Sequence, residues 1–191
     1  MENIRKCFEK YVKLSSISWA ELKPLLIQKK LNKGFLFCKE NQRYNNELYV
    51  KSGVIRSFYS SFTGDEINIA FYQDNDFAIP WFYRNTEGKS TLNFETLTDG
   101  IVYEFNAEKF YELMQKFNDL GNFGRLFVEK ELKEKIYKEI YLLTRSAEER
   151  YNYFNEKYPG LENKIAHYHI ASYLGITPIS LSRLRNKRVK K

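Results

Sequence analysis

Residues 165–188 read Ile165-Ala166-His167-Tyr168-His169-Ile170-Ala171-Ser172-Tyr173-Leu174-Gly175-Ile176-Thr177-Pro178-Ile179-Ser180-Leu181-Ser182-Arg183-Leu184-Arg185-Asn186-Lys187-Arg188. The stretch has the layout of two short helices joined by a tight turn. Thr177 followed by Pro178 is an N-cap with proline at the first helical position, where a missing N–H costs nothing and the fixed φ suits the helix. Gly175 stands where the turn favours a positive φ, and Ala171, four residues earlier, is small enough for two helices to cross closely. Ile170, Leu174, Ile176, Leu181 and Leu184 are spaced to fill the core between them.

With Leu181 and Leu184 turned inward, the second helix leaves Ile179, Ser180, Arg183, Asn186 and Lys187 on its outer face, at offsets of three and four. Charge concentrates in the same place. Residues 1–144 have a net charge of +1 and residues 145–191 a net charge of +6, and residues 178–191 hold six basic side chains and no acid. A basic cluster of this kind is the electrostatic footprint of a polyanion-binding element, and a helix-turn-helix presents such a face to the major groove. Double-stranded DNA is therefore the expected partner. Arg183 is the candidate for direct base readout, because its planar fork matches guanine O6 and N7 together. Ile179 offers apolar contact. Ser180, Ser182, Arg185, Lys187 and Arg188 are expected on phosphates, with Thr177 and Asn186 completing the interface.

Working towards the N-terminus, Ser146-Ala147-Glu148-Glu149 is a capping box that opens a new helix, and Tyr158-Pro159-Gly160 closes it. A boundary near residues 144–146 divides the chain into domains 1–144 and 145–191. Before it, Leu120, Phe123, Phe127, Leu132, Ile136, Ile140 and Leu143 form an apolar stripe close to the helical period. One helix over about 120–143 is expected, with the stripe as a dimer seam. Between residues 31 and 103 the pattern changes to short runs rich in Tyr, Phe, Val and Ile, punctuated by turn signals such as Asn32-Lys33-Gly34 and Thr63-Gly64-Asp65. Expected strands are 35–38, 48–50, 54–60, 66–72, 91–97 and 101–105, with Asp99-Gly100 read as the hairpin turn between the last two. Residues 3–30 read as helical, with Ser18 and Glu21 as a capping box. The fold class is α+β: an antiparallel β-roll or jelly roll, a long helix and a small all-α domain.

Several functions are excluded on inventory. The longest apolar stretch, residues 77–83, is far short of the roughly 20 residues that span a bilayer, so no membrane association is expected. Without a secretory leader pattern, the expected location is the cytoplasm. Cys7 and Cys38 are the only cysteines and His167 and His169 the only histidines. The roll therefore has no ligand set for a metal, haem or iron–sulfur cluster, and no cofactor is expected. No Gly-rich phosphate loop or nucleophile elbow occurs, so the chain is not read as an enzyme.

The stretch 171–185, and after it Glu47-Leu-Tyr-Val-Lys-Ser-Gly53-Val-Ile-Arg56, resemble the Crp/Fnr family of bacterial transcription regulators, and the order of elements matches along nearly the whole chain. The resemblance implies a cyclic-nucleotide-binding-like roll, a dimerising central helix and a homodimer reading a pseudo-palindromic site. It also leaves room for RNA polymerase and an unidentified small-molecule effector as partners. The family's phosphate-binding cassette carries a Gly-Glu pair and, about ten residues on, an Arg-Ser or Arg-Thr. Here those positions are Ile79-Pro80 and Ser90-Thr91, which supply neither the carboxylate nor the guanidinium, so control by cyclic AMP is not expected. Phe77, Trp81, Phe82, Arg84, Lys89, Ser90 and Thr91 are the candidate effector pocket, with Arg84 and Lys89 expected on a solvated loop. A filled aromatic core is the competing reading of that region. A second functional reading is a ligand-binding sensor whose output is a protein partner rather than DNA.

Overall fold

A computed structural model describes residues 1–189 of the chain. Two short helices, α1 (Glu2–Glu9) and α2 (Ser16–Leu22), lead into eight strands: β1 (Ile27–Leu31), β2 (Leu36–Cys38), β3 (Asn46–Ser52), β4 (Ile55–Ser60), β5 (Glu66–Tyr72), β6 (Phe77–Ala78), β7 (Asn93–Thr96) and β8 (Gly100–Asn106). Five helices follow: α3 (Ala107–Lys116), α4 (Asn118–Thr144), α5 (Ala147–Lys157), α6 (His167–Leu174) and α7 (Pro178–Val189). The strands form two antiparallel four-stranded sheets, ordered β1-β8-β3-β6 and β2-β7-β4-β5. The expected α+β architecture is the one observed.

Strand β3 shows why the sheets stack as they do. Successive residues point to opposite faces, yet Glu47, Leu48, Tyr49 and Val50 are all buried, so both faces of this sheet are covered. Leu48 and Val50 join Phe94, Ile55 and Tyr72 in the core between the sheets. Tyr49 joins Phe8, Phe105, Phe110 and Phe123 in a second core, where α1, α3 and α4 pack on the outer face. A third core belongs to the C-terminal helices but takes in Val54, Phe71 and Leu97 from the second sheet.

Four expectations need correction. Strand β1 occupies residues read as helix; it is a sheet-edge strand, largely solvent-exposed, and so carries little apolar alternation to reveal it. The two-residue β6 lies in a segment with no strand assigned. The cap of α2 is Ser15, which accepts from the Ser18 N–H, while the Ser18 hydroxyl donates to Asp119 at 2.6 Å. Asp99-Gly100 does not turn a hairpin, because β7 and β8 lie in different sheets. Gly100 is required for another reason: a Cβ there would come within 2.5 Å of the Ser52 carbonyl, where the chain passes against Gly53. Close approach of two backbones selects the same residue as a tight turn.

Candidate nucleic-acid interface and sensor

The local chemistry of the C-terminal helices follows the sequence closely. Ser146 caps α5 by accepting from the Glu149 N–H, and the Glu149 carboxylate accepts from the Ser146 N–H in return. Gly175 ends α6 at φ +65°, and the Thr177 hydroxyl accepts from the Ser180 N–H to start α7. Ile170, Ala171, Leu174 and Leu181 are buried, with Ile176 and Leu184 packed against them.

The outer face of α7 presents Ile179, Ser182, Arg183, Asn186 and Lys187 to solvent, with Ser180 partly covered and Thr177 exposed at its start. The cations on it differ sharply. Arg185 is bonded to the Glu162 carboxylate and donates to His167 Nδ1, and Lys187 pairs with Glu148 at 2.7 Å. Arg183 has no hydrogen bond or ion pair among the described residues. The Arg188 side chain, expected on phosphate, and the tail lysines Lys190 and Lys191 lie outside the described residues.

The helix pair is docked on the sandwich through α6. Strand β5 is a sheet edge, and the Ser172 hydroxyl satisfies it twice, donating to the Glu66 carbonyl at 2.6 Å and accepting from the Asn68 N–H at 3.0 Å. Asn68 Nδ2 donates to the His169 carbonyl at 3.0 Å. Ile69 is the extra residue of a bulge in the β4–β5 ladder, and its carbonyl accepts from Lys138 of α4 at 2.7 Å. Beneath this seam lies buried Arg56, bonded to Glu95, Glu66 and Asn68 and donating to His169 Nδ1 at 3.1 Å. A guanidinium can only donate, so Nδ1 is an acceptor and the neutral ring carries its proton on Nε2. Burial, with the Arg56 charge beside it, lowers the His169 pKa to about 4. Sequence reasoning placed His169 in the DNA-binding segment and missed this seam, since nothing local links Arg56 to a histidine 113 positions away.

The candidate effector residues do not converge on one cavity. Phe77 is part of the outer-face core. Trp81 and Phe82 line an apolar groove of about 470 Å³ between α3, α4 and the turn Pro80–Tyr83, where Trp81 stacks on Tyr111 and Phe82 on Phe127. Arg84 is not on a solvated loop: it is largely covered and pairs with buried Glu47 at 2.9 Å. Desolvation pushes the Glu47 carboxyl up to about 8 against the pull of that guanidinium. Lys89 does lie at the surface, paired with Glu87. Ser90 is buried, accepting from the Leu92 N–H, and the Thr91 hydroxyl donates to the Tyr83 carbonyl. Inside the sandwich, Phe94 is packed by Phe37, Tyr72 and Tyr83, as the filled-core reading expects.

The apolar stripe of α4 divides. Leu120, Phe123 and Phe127 are buried in the protomer's own core, whereas Leu132, Ile136, Ile140 and Leu143 are exposed, together with Val128. The first three are therefore not free to meet a second protomer. Among the described residues no helix is long and apolar enough to cross a membrane, and no cluster of three or more His, Cys, Asp or Glu side chains is placed to hold a metal ion.

A two-sheet antiparallel sandwich of the cyclic-nucleotide-binding-like type, followed by a 27-residue helix and a crossed pair of C-terminal helices, is the class of fold the chain adopts. Solved structures sharing this arrangement across the chain are Crp/Fnr family regulators, at low identity. FixK2 from Bradyrhizobium japonicum superposes with a TM-score of 0.74 at 16% identity, covering 85% of this chain and 83% of its own. A transcriptional regulator of the Crp/Fnr family from Eubacterium rectale gives 0.71 at 20% identity, covering 93% and 85%. A mutant of CooA from Carboxydothermus hydrogenoformans gives 0.68 at 18%, covering 93% and 80%. No family model and no curated protein sequence matches the chain.

Proposed function

We propose that the chain is a sequence-specific DNA-binding transcription regulator that acts as a homodimer, with residues 1–144 as sensor and 145–191 as reader. The observation that carries this reading is the outer face of α7. It holds an exposed Arg183 with no acidic partner among the described residues, beside Ile179 and Asn186, on a helix whose cap, turn and core follow the helix-turn-helix pattern. Exposed Leu132, Ile136, Ile140 and Leu143 on α4 suit pairing with the same helix of a second copy, which would hold two reading helices at half-sites roughly 34–36 Å apart. The packed sandwich interior, and an Arg84 already held by Glu47 at 2.9 Å, argue against cyclic AMP as effector.

Selection of bound sequences from a random DNA pool, with purified protein at two salt concentrations, tests the reading. A palindromic motif, bound more weakly as salt rises because neutralised phosphates release counterions, is the expected result. A pool without any motif at either salt concentration would overturn sequence-specific binding.

A further inference from the structure

A second cleft, of about 490 Å³, lies outside the sandwich where α1, the free edge of β5, α4 and α5 meet. Phe77 is the one candidate effector residue that reaches it, so it is not the pocket expected from the sequence. Part of its wall, Tyr153, Lys157, Tyr158 and Tyr173, comes from the C-terminal helices.

The charges in this cleft are arranged unusually. Lys10, Lys130, Lys135, Lys138 and Lys157 all line it, and of these only Lys157 makes an ion pair among the described residues, with Glu134 at 2.6 Å. Lys130 donates to the Tyr11 hydroxyl, Lys135 to the Tyr83 hydroxyl, and Lys138 to the Ile69 and Asn68 carbonyls. Glu131 and Glu134 stand four residues before Lys135 and Lys138, the spacing that ordinarily makes ion pairs along a helix, yet neither pair forms. Lys138 instead lies 3.8 Å over the Tyr173 ring.

Desolvation, aided by Lys135 and Lys157, lowers the Lys138 pKa to about 7. A cation held among carbonyls and other lysines costs stability unless something compensates it. The buried Tyr173 hydroxyl, beside the Tyr158 side chain, has no partner of good hydrogen-bond geometry among the described residues. Both are groups that an anionic oxygen would satisfy. Four acids also line the wall, Asp76, Glu131, Glu134 and Glu156; burial raises the Asp76 and Glu131 carboxyls, and Glu134 is already engaged by Lys157. The volume falls in the usual range for small-molecule sites, and the tyrosines provide flat apolar walls.

We propose that this cleft binds a small organic acid carrying an aromatic ring and a dianionic group, of the phosphate monoester type, with Lys135 and Lys138 holding the anion and Tyr153 and Tyr158 flanking the ring. Such a ligand touches sensor, central helix and C-terminal helices at once, so its presence tightens the docking of α6 on β5. That consequence for DNA rests on the reading of α7 given above; the binding itself does not.

The test is titration of the full chain, without DNA, with phenyl phosphate, using inorganic phosphate and phenol as comparators, read by calorimetry. Phenyl phosphate is expected to bind once per protomer and about tenfold more tightly than either comparator. Lys135→Gln and Lys138→Gln should each weaken it by about tenfold, while Lys187→Gln on α7 leaves it unchanged. Lys138 also props the β5 edge, so circular dichroism checks each variant, and Lys135→Gln decides the matter if Lys138→Gln does not fold. Absence of saturable binding, affinity no better than that of inorganic phosphate, or affinity surviving both substitutions would overturn the site. Equal weakening by Lys187→Gln would assign the binding to the basic helix instead. If phenyl phosphate binds as expected while the DNA selection yields no motif, the reader assignment fails and the cleft stands.

Discussion

The two halves of α4 carry their apolar residues on opposite sides of the helix, because the five-residue step from Phe127 to Leu132 breaks the helical spacing, and the two sides have opposite surroundings. At its start Leu120 is 0% exposed and Phe123 3%, locked among Phe8, Phe77 and Phe110. Towards its end Leu132 is 56% exposed and Leu143 78%. A helical stripe reports that a face will be covered, not what covers it. Among the described cations of α7 the contrast recurs on a smaller scale: Arg185 and Lys187 are taken by acids of the same chain, and Arg183 has no partner among the described residues.

The largest effect is expected where α4 is already covered. Phe123→Ala should cost about 3–5 kcal/mol of protomer stability, because its ring contacts are lost and the core cannot collapse around the gap. Urea denaturation measures this, and a loss below about 1 kcal/mol would mean that the N-terminal half is not core. On the exposed half, Leu132→Glu combined with Ile136→Glu should leave that stability nearly unchanged and weaken self-association by roughly a hundredfold. Sedimentation velocity separates the two quantities, and association that survives the double substitution would remove α4 from the dimer seam.

Arg183→Ala should cost about 1–3 kcal/mol on a specific site while non-specific binding persists. Equal weakening on specific and random duplexes would instead make Arg183 a phosphate contact. Lys187→Ala, which gives up a surface pair with Glu148, should change folding stability by only about 0–1 kcal/mol.

The docking seam sharpens the comparison by pH. His169 titrates near 4 in the folded chain and near 6.5 when exposed, so below 6.5 the unfolded chain binds the proton that the folded one excludes. Its contribution is therefore present above pH 6.5 and lost as pH falls towards 4. His169→Gln should flatten the melting temperature across that interval; an unchanged slope would place the acid sensitivity outside His169.

Much of the architecture was legible because it is written locally. The Ser146 capping box, the Thr177-Pro178 start, the positive φ at Gly175 and the β-branched and aromatic runs of β4 and β5 depend on residues a few positions apart, and a linear reading sees them directly. The elements it missed or misplaced, β1, β6 and the supposed hairpin at Asp99-Gly100, are decided by partners far along the chain or in the other sheet. The site was legible to the same extent. The face of α7 followed from helical spacing, whereas its pairing of Arg185 with Glu162 and Lys187 with Glu148 did not.

Sequence by itself determined the succession of helical lead, strand-rich roll, long helix and C-terminal helix pair, the position of the α4–α5 break and the residues on the outer face of α7, because backbone propensity, capping and periodicity act over one or two helical turns. Tertiary structure alone decided that Arg56 meets His169, that Arg84 packs against buried Glu47, that the first apolar residues of α4 are consumed by their own core, and that among the described residues four lysines lining one cleft make no ion pair. These depend on distances across space between charges and surfaces widely separated in the chain, and desolvation, which sets their energies, exists only once the chain has closed around them.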